Sequence, residues 1–444
     1  MVRFGMVAAA LALMASPLLA QESSTDDLKK ELEQLRKEVD SLKAVNSTKE
    51  IPAMGKIDAD AMAADDSPIM TLFKGTKLSG HVDTAFGFSF NQLHAKPTTF
   101  GSTTGNNPIR VFDNQDNSFY LHNAQLNLER LATKDMIVGY HLELMYGSDI
   151  KWMDATSFGV QEAWVQILAP VGNGLDIRVG KMASLIGYEV VENTNNLNYS
   201  RGVVWGQVEP ITATGVRLTY SLMEQLSATL GFNNGRNISS FPGNPGFPTD
   251  FDLNHGKAFE AQVLIKPVKD VWVAVNFMVG TDNSVNTAAP SLFGTSAADK
   301  FYIFNIVAEY KLDKLTVALN FDQASSQGLR VFGTDAGGLR APQRGLAVYG
   351  KYQLTDAFAT GARIEYYSDM DGALLFNSGA GDTGTGARVI TLTLTQELKV
   401  ANSLILRFEF RHDSSNQHIF SGRGANENAA KGDNSLAVEA LLPF

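Results

Sequence analysis

Lys77 to Asn91 reads KLSGHVDTAFGFSFN, and the character of its side chains alternates along most of the stretch. Leu78, Val82, Phe86, Phe88 and Phe90 fall on one face, with Ser79, His81, Asp83, Ser89 and Asn91 on the other. A period of two puts successive side chains on opposite faces of a β-strand. The pattern returns throughout the chain. Val271, Val273, Val275, Phe277 and Val279 form a clean stripe against Asn276, and Leu404, Leu406, Phe408 and Phe410 oppose Arg407, Glu409 and Arg411. The last such stripe is Leu436, Val438, Ala440, Leu442 and Phe444. The alternation predicts about 16 strands, within a range of about 14 to 18.

The connections between these segments alternate in length. Short turns fall at 132–134, 170–174, 222–225, 267–270, 312–314, 353–356 and 399–403. Long polar loops fall between them at 92–118, 147–159, 183–213, 234–257, 281–300, 323–343, 369–386 and 414–433. A soluble β-sandwich alternates along its strands but has no reason to alternate its loop lengths. Short turns at one end and long loops at the other are the mark of an outer-membrane barrel. The expected fold is therefore all-β: a transmembrane antiparallel β-barrel, too wide for side chains to fill, enclosing an aqueous channel. Aromatic residues support this reading. Tyr220, Tyr310, Tyr352, Phe358 and Phe444 sit at short-turn ends, while Phe90, Phe119, Tyr146, Phe232, Phe259, Phe321, Tyr366 and Phe410 sit at long-loop ends. Two such girdles flank the apolar band of a membrane barrel.

Four segments precede or make up this fold. Residues 1–20, MVRFGMVAAALALMASPLLA, read as a signal peptide with Arg3, an apolar run and a small-residue exit. Residues 21–45 hold the clearest helical signal. Leu28, Leu32, Leu35, Val39 and Leu42 are spaced alternately by four and three on a heptad seam. A lone helix of this length is marginal in water, so the seam predicts association between chains, against the alternative of a helix lying on its own domain. Residues 46–75 read as a linker and 76–444 as the barrel. An even strand number leaves both barrel ends on the short-turn side, which places the coiled coil in the periplasm of a Gram-negative cell.

Composition removes several classes of function. The 444 residues carry a net charge of −10, so no basic footprint argues for nucleic acid. There is no cysteine, which excludes disulfides and thiolate metal sites. No phosphate-binding glycine loop or HExxH helix is present, so neither a cofactor, a metal nor a catalytic residue is assigned. The acidic pieces at 113–116 and 369–372 lack EF-hand spacing.

Strand parity supplies the candidate lumen charges: Asp83, Glu143, Arg178, Arg217, Arg363, Glu365, Arg407, Glu409 and Arg411. Over the whole face, parity also turns inward Glu129, Glu162, Asp176, Glu260, Glu309, Asp322, Asp413 and Glu439 against Lys351 alone, so acidic groups outnumber basic ones by about two to one, which predicts a weak cation preference. The loop at 183–213 is apolar for an exposed segment, with Ile186, Tyr188, Val190, Val191, Val203, Val204 and Trp205. Apolar loop residues need a surface to cover, and the inner wall offers one. Glu189, Glu192, Arg201 and Glu209 in this loop are the candidate constriction residues.

The stretch from Leu175 to Val216 resembles the outer-membrane porins grouped as β-barrel porin-2, OmpL-like. The matching pieces are Gly180-Lys181, Ile186-Gly187-Tyr188-Glu189-Val190, Asn198-Tyr199-Ser200-Arg201, Glu209-Pro210 and Thr214-Gly215-Val216, with Gln161 to Val165 upstream and the terminal Phe444. The resemblance implies a passive diffusion channel for small hydrophilic solutes in outer-membrane lipid, and the likeness to trimeric porins favours a homotrimer. Two alternatives are a barrel that tethers the membrane to the cell wall through its periplasmic helix, and an outer-membrane hydrolase.

Overall fold

The computed structural model describes residues 73–91, 107, 109–113, 116–150, 157–235, 257–281, 293–295, 300–331, 339–370, 386–400, 403–420 and 430–444. The leader, the heptad seam from Leu28 to Leu42 and most of the linker lie outside the described residues. The chain divides into two units, Met1–Lys74 and Gly75–Phe444. The second is built almost entirely of strands.

These are β1 (Lys77–Ser89), β2 (Ser118–Arg130), β3 (Val138–Tyr146), β4 (Phe158–Ala169), β5 (Leu175–Ala183), β6 (Thr212–Met223), β7 (Leu226–Asn233), β8 (Ala258–Val268) and β9 (Val271–Thr281). They continue with β10 (Phe293–Thr295), β11 (Lys300–Leu312), β12 (Leu315–Val331), β13 (Leu339–Gln353), β14 (Phe358–Asp369), β15 (Ala387–Val400), β16 (Leu404–Ser415) and β17 (Gly432–Pro443). β10 spans three residues and pairs with the far end of β12, while β9 pairs directly with β11. Leaving out β10, the remaining 16 strands close into one antiparallel barrel. Closure is made by β1 against β17, from His81 opposite Pro443 to Ser89 opposite Ser435. Phe444 extends this seam by exchanging both backbone hydrogen bonds with Gly80, at 2.9 and 3.0 Å. A Cβ on Gly80 would lie 2.7 Å from the Phe444 ring, so glycine is what lets that ring lie across the seam.

Every backbone group in a closed ring finds a partner, which is what allows strands to cross lipid. The outer face carries the apolar stripes: Val165, Val179, Leu230, Val263, Ile364 and Val438 are all exposed. Phe119, Tyr146, Phe232 and Phe259 are exposed at the long-loop end, with Tyr310, Tyr352 and Phe444 at the short-turn end. Among the described residues no helix is long and apolar enough to cross a membrane.

Two details depart from the simple alternation. The turn between β2 and β3 runs over 131–137 rather than 132–134, because Thr133 and Met136 close a small loop through a 2.8 Å backbone bond. Register also slips in five pairings, two of them beside buried polar residues of the lumen. The pairing of β1 with β2 slips at Asp83/Thr84 and leaves His122 as the extra residue, so His122 and Asn123 are both buried. The pairing of β3 with β4 slips at Glu143/Leu144 in the same way and leaves Gln161 unpaired.

Candidate functional site

The connection between β5 and β6 passes into the barrel. It contains a short 3-10 turn, Asn193–Asn195, and one helical turn, α1 (Val203–Val208). Its apolar residues have found cover. Val203 and Val204 are fully buried, and with Ile186 and Val208 they pack against Met278, Ile303, Ala347, Tyr349 and Val389 of the wall. Trp205 packs on Phe112 with ring centroids 5.6 Å apart, in a second cluster with Met145, Ile150 and Val191. Burying side chains of this size stabilises the docked loop by about 1.5–3 kcal/mol each.

The polar contacts hold the loop backbone to the opposite wall. Arg363 on β14 donates to Glu189 Oε1 at 2.5 Å and to the Ser200 carbonyl at 2.5 Å, and pairs with Glu365 at 3.0 Å. Glu189 Oε2 accepts from the Gly202 amide at 2.6 Å, and Glu365 accepts from the Val204 amide at 3.1 Å. Glu409 on β16 accepts from the amides of Tyr199 and Ser200 at 2.8 and 3.0 Å. Arg407 donates to the carbonyls of Asn193 and Asn196 and pairs with Glu397 and Glu439. Arg411 donates to the Arg201 carbonyl at 2.7 Å and pairs with Asp413. Asp83 on β1 accepts from Asn193 Nδ2 at 2.7 Å. A buried loop would otherwise carry unsatisfied backbone groups, and these charged side chains satisfy them.

Two glycines make the fit possible. Gly187 has φ +103°, and a Cβ there would lie 1.6 Å from Glu209 Oε2. At Gly202 a Cβ would lie 2.3 Å from Glu365 Oε1.

The four loop residues selected from sequence therefore have distinct places. Glu189 is buried against Arg363. Glu209 is buried beside Asn320 Nδ2, at 2.6 Å, and Asp322. Burial, with Asp322 and Glu189 close by, holds the Glu209 carboxyl well above the usual carboxylate range. Glu192 faces Glu143 and Glu162 on the wall. Arg201 is turned into the loop itself, donating to the carbonyls of Val190, Tyr199 and Val191 and to Asn193.

The lumen charges are equally specific. Glu365, Glu409, Arg363, Arg407 and Arg411 face inward, but they grip the loop rather than stand free in the channel. Arg217 pairs with Glu260 at 2.5 Å, and Arg178 lies over the Trp164 ring at 4.5 Å while pairing with Asp176. Glu143 lies 3.5 Å from His141. The expected open wall of mixed charge is thus replaced by a filled one over β14 to β17, because buried carboxylates and guanidinium groups compensate each other. Accessible inner-face charge includes Glu129, Asp176, Arg178 and Lys351, with side chains 35%, 20%, 37% and 20% exposed.

Sequence reading passed over several participants. Asp149, His122, Tyr199 and Tyr120 form a buried chain of hydrogen bonds of 2.8, 2.7 and 2.5 Å. Burial, then Tyr120, raises the Tyr199 hydroxyl well above its ordinary value. Arg110 and Asp113, from the connection between β1 and β2, also enter the lumen, and Arg110 reaches Asp413 at 2.8 Å. Burial alone would raise the Asp113 carboxyl, but Arg110 and Arg411 hold it below the usual range.

A closed barrel with an apolar exterior, a charged interior and an infolded loop defines an outer-membrane channel protein of the porin class. The sequence profile described as "Putative beta-barrel porin-2, OmpL-like" matches residues 75–444, and the chain belongs to that family. Solved structures share the fold at low identity. An anion-selective porin from Comamonas acidovorans is 12% identical with a TM-score of 0.54, covering 83% of this chain and 99% of its own. OprB of Pseudomonas putida is 11% identical with a TM-score of 0.54, covering 84% and 94%. OmpT, an outer membrane protein of Vibrio cholerae, in its trimer form is 12% identical with a TM-score of 0.52, covering 83% and 99%. No curated protein matches the chain in sequence.

Proposed function

We propose that this porin is a passive channel for small hydrophilic solutes and ions, with its bore set by residues 184–211. The observation that carries the reading is the docking of that segment on Arg363, Glu365, Arg407, Glu409 and Arg411. A loop fixed from several strands narrows a barrel that is otherwise wide enough for an aqueous channel. Passage by diffusion needs no cofactor and no catalytic group.

The finer part of the proposal is a weak preference for cations. The guanidinium groups on β14 and β16 are matched by carboxylates. The inner face from β2 to β5, by contrast, carries Glu129, Glu143, Glu162 and Asp176 against Arg178. A field of this sign favours cations and is screened over about 8 Å at physiological salt. The test is the reversal potential of the purified protein under a KCl gradient. A cation-side potential that shrinks as salt rises supports the reading, and a clearly anion-selective channel overturns it.

The assembly follows the same reading. The seam Leu28, Leu32, Leu35, Val39 and Leu42 would join chains through periplasmic helices at 21–45, after removal of residues 1–20 and with 46–75 as a linker. The seam calls for association without choosing the number of chains; a homotrimer is favoured by the likeness to trimeric porins, and the fold shared with OmpT, solved in a trimer form, is compatible with it.

A further inference from the structure

The inner faces of β3 and β4 bring His141, Glu143 and Glu162 together, with one ligand atom from each within 4.8 Å of the others. We propose that this cluster binds a divalent first-row transition-metal ion of the zinc class, with Glu192 of the infolded loop as a fourth oxygen donor.

Among the described residues, His141 is the one basic side chain that pairs with the carboxylates of this cluster. His141 Nε2 lies 3.5 Å from Glu143 Oε2, and its Nδ1 lies 3.3 Å from Glu129 Oε2. Glu192 adds a further carboxyl beside Glu143. Among the described residues no lysine or arginine pairs with Glu143 or Glu162. Glu143 is 4% exposed, and its Oε1 is buried with no donor within reach. Both ring nitrogens of His141 are likewise buried and unmatched by a hydrogen bond. A buried carboxylate oxygen of Glu143 and both His141 nitrogens, unmatched and converging with Glu162, want a cation in common.

The surroundings are built to orient the donors. The His141 ring stacks on Trp164 at 5.1 Å and 11°, which fixes its plane. Trp164 Nε1 donates to Glu162 Oε2 at 3.1 Å, and the Ala183 amide donates to the same oxygen at 2.9 Å. Outer-sphere hydrogen bonds of this kind hold ligands in register. The donor set decides the class of ion. An imidazole beside carboxylates suits zinc and its first-row neighbours, whereas calcium and magnesium take oxygen alone. Strand spacing already turns His141, Glu143 and Glu162 inward; the register that sets Glu143 opposite Glu162, beside the bulge at Glu143/Leu144, is what brings them together.

Because Glu192 belongs to the loop and the other ligands to the wall, the ion would tie one to the other. The binding test itself does not depend on the channel reading. The full-length barrel, folded in detergent and stripped with chelator, is titrated with ZnCl₂ and separately with CaCl₂ by calorimetry. The account expects one saturable zinc site per chain, with calcium far weaker. Glu143→Gln and His141→Ala should abolish binding, and Trp164→Phe, which removes the bond to Glu162 and keeps a smaller ring beside His141 and Arg178, should weaken it by about tenfold or more. Heat-modifiable gel mobility identifies variants that have folded, and if His141→Ala does not fold, Glu143→Gln and Trp164→Phe decide the matter. Absence of saturable zinc binding, binding unchanged in the folded variants, or calcium bound as tightly as zinc would each overturn the proposal.

Discussion

Arg363 and Glu189 are 174 residues apart in sequence, yet their side chains meet at 2.5 Å inside the barrel with both ends buried. The pair joins a wall strand to the infolded loop. Removing one partner leaves the other charged and buried, which costs about 3–5 kcal/mol. Arg363→Ala should therefore free the middle of the loop, lower the thermal midpoint of gel heat-modifiability and raise current noise in planar bilayers. A quiet channel of unchanged midpoint would count against the docking as described.

Glu209 gives the docking a pH dependence of definite sign. Its carboxyl is held above its ordinary value by burial and by Asp322 and Glu189. A raised value means that the proton stabilises the docked state. That stability is complete at low pH and is lost as pH rises through the docked-state value. Conductance should thus rise as pH is raised through that docked-state value, above the usual carboxylate range, where Glu209 ionises beside Asp322. Glu209→Gln, which stays neutral, should flatten the curve. A conductance that falls over this range would contradict the assignment.

Gly187 is the tightest of the loop's glycines, with φ +103° and Glu209 where a Cβ would stand. Gly187→Ala should combine left-handed strain with a clash, for a loss of about 1–3 kcal/mol. Urea unfolding of the detergent-solubilised barrel reads this directly, with Gly350→Ala as a control where a Cβ meets nothing.

The heptad seam makes a separate forecast. Replacing Leu32 and Leu35 by Asn should loosen the oligomer or slow its formation, as followed by cross-linking. If a chain lacking residues 21–50 forms equally stable oligomers, the helix serves only as a spacer.

Much of the barrel was legible because lipid imposes a two-residue period on every strand. Val271 to Val279 carry it without interruption, and Phe119 and Phe444 mark the two rims. The apolar run at Val203 to Trp205 also signalled that the loop needed cover. What spacing could not give was the pairing. Nothing local in sequence tells Glu409 to receive the amides of Tyr199 and Ser200, more than 200 residues away. Parity correctly turned Arg407 and Arg411 inward, but it could not distinguish a charge that lines water from one that holds a loop. Arg201 illustrates the same limit, since a constriction residue and a staple of the loop's own carbonyls look alike in sequence. The bulge at Asp83/Thr84 hid His122 by breaking the period, whereas His141, Glu143 and Glu162 were turned inward by parity and only their pairing across β3 and β4 was missing.

The central claim is that residues 184–211 set the bore of a porin. Single-channel recording in planar bilayers of the intact protein beside a variant lacking residues 192–205 tests it most directly. The account predicts discrete open levels for the intact chain and a clearly larger unit conductance for the deletion, in barrels shown to be folded by heat-modifiable mobility. Equal conductance in the two folded barrels would contradict it.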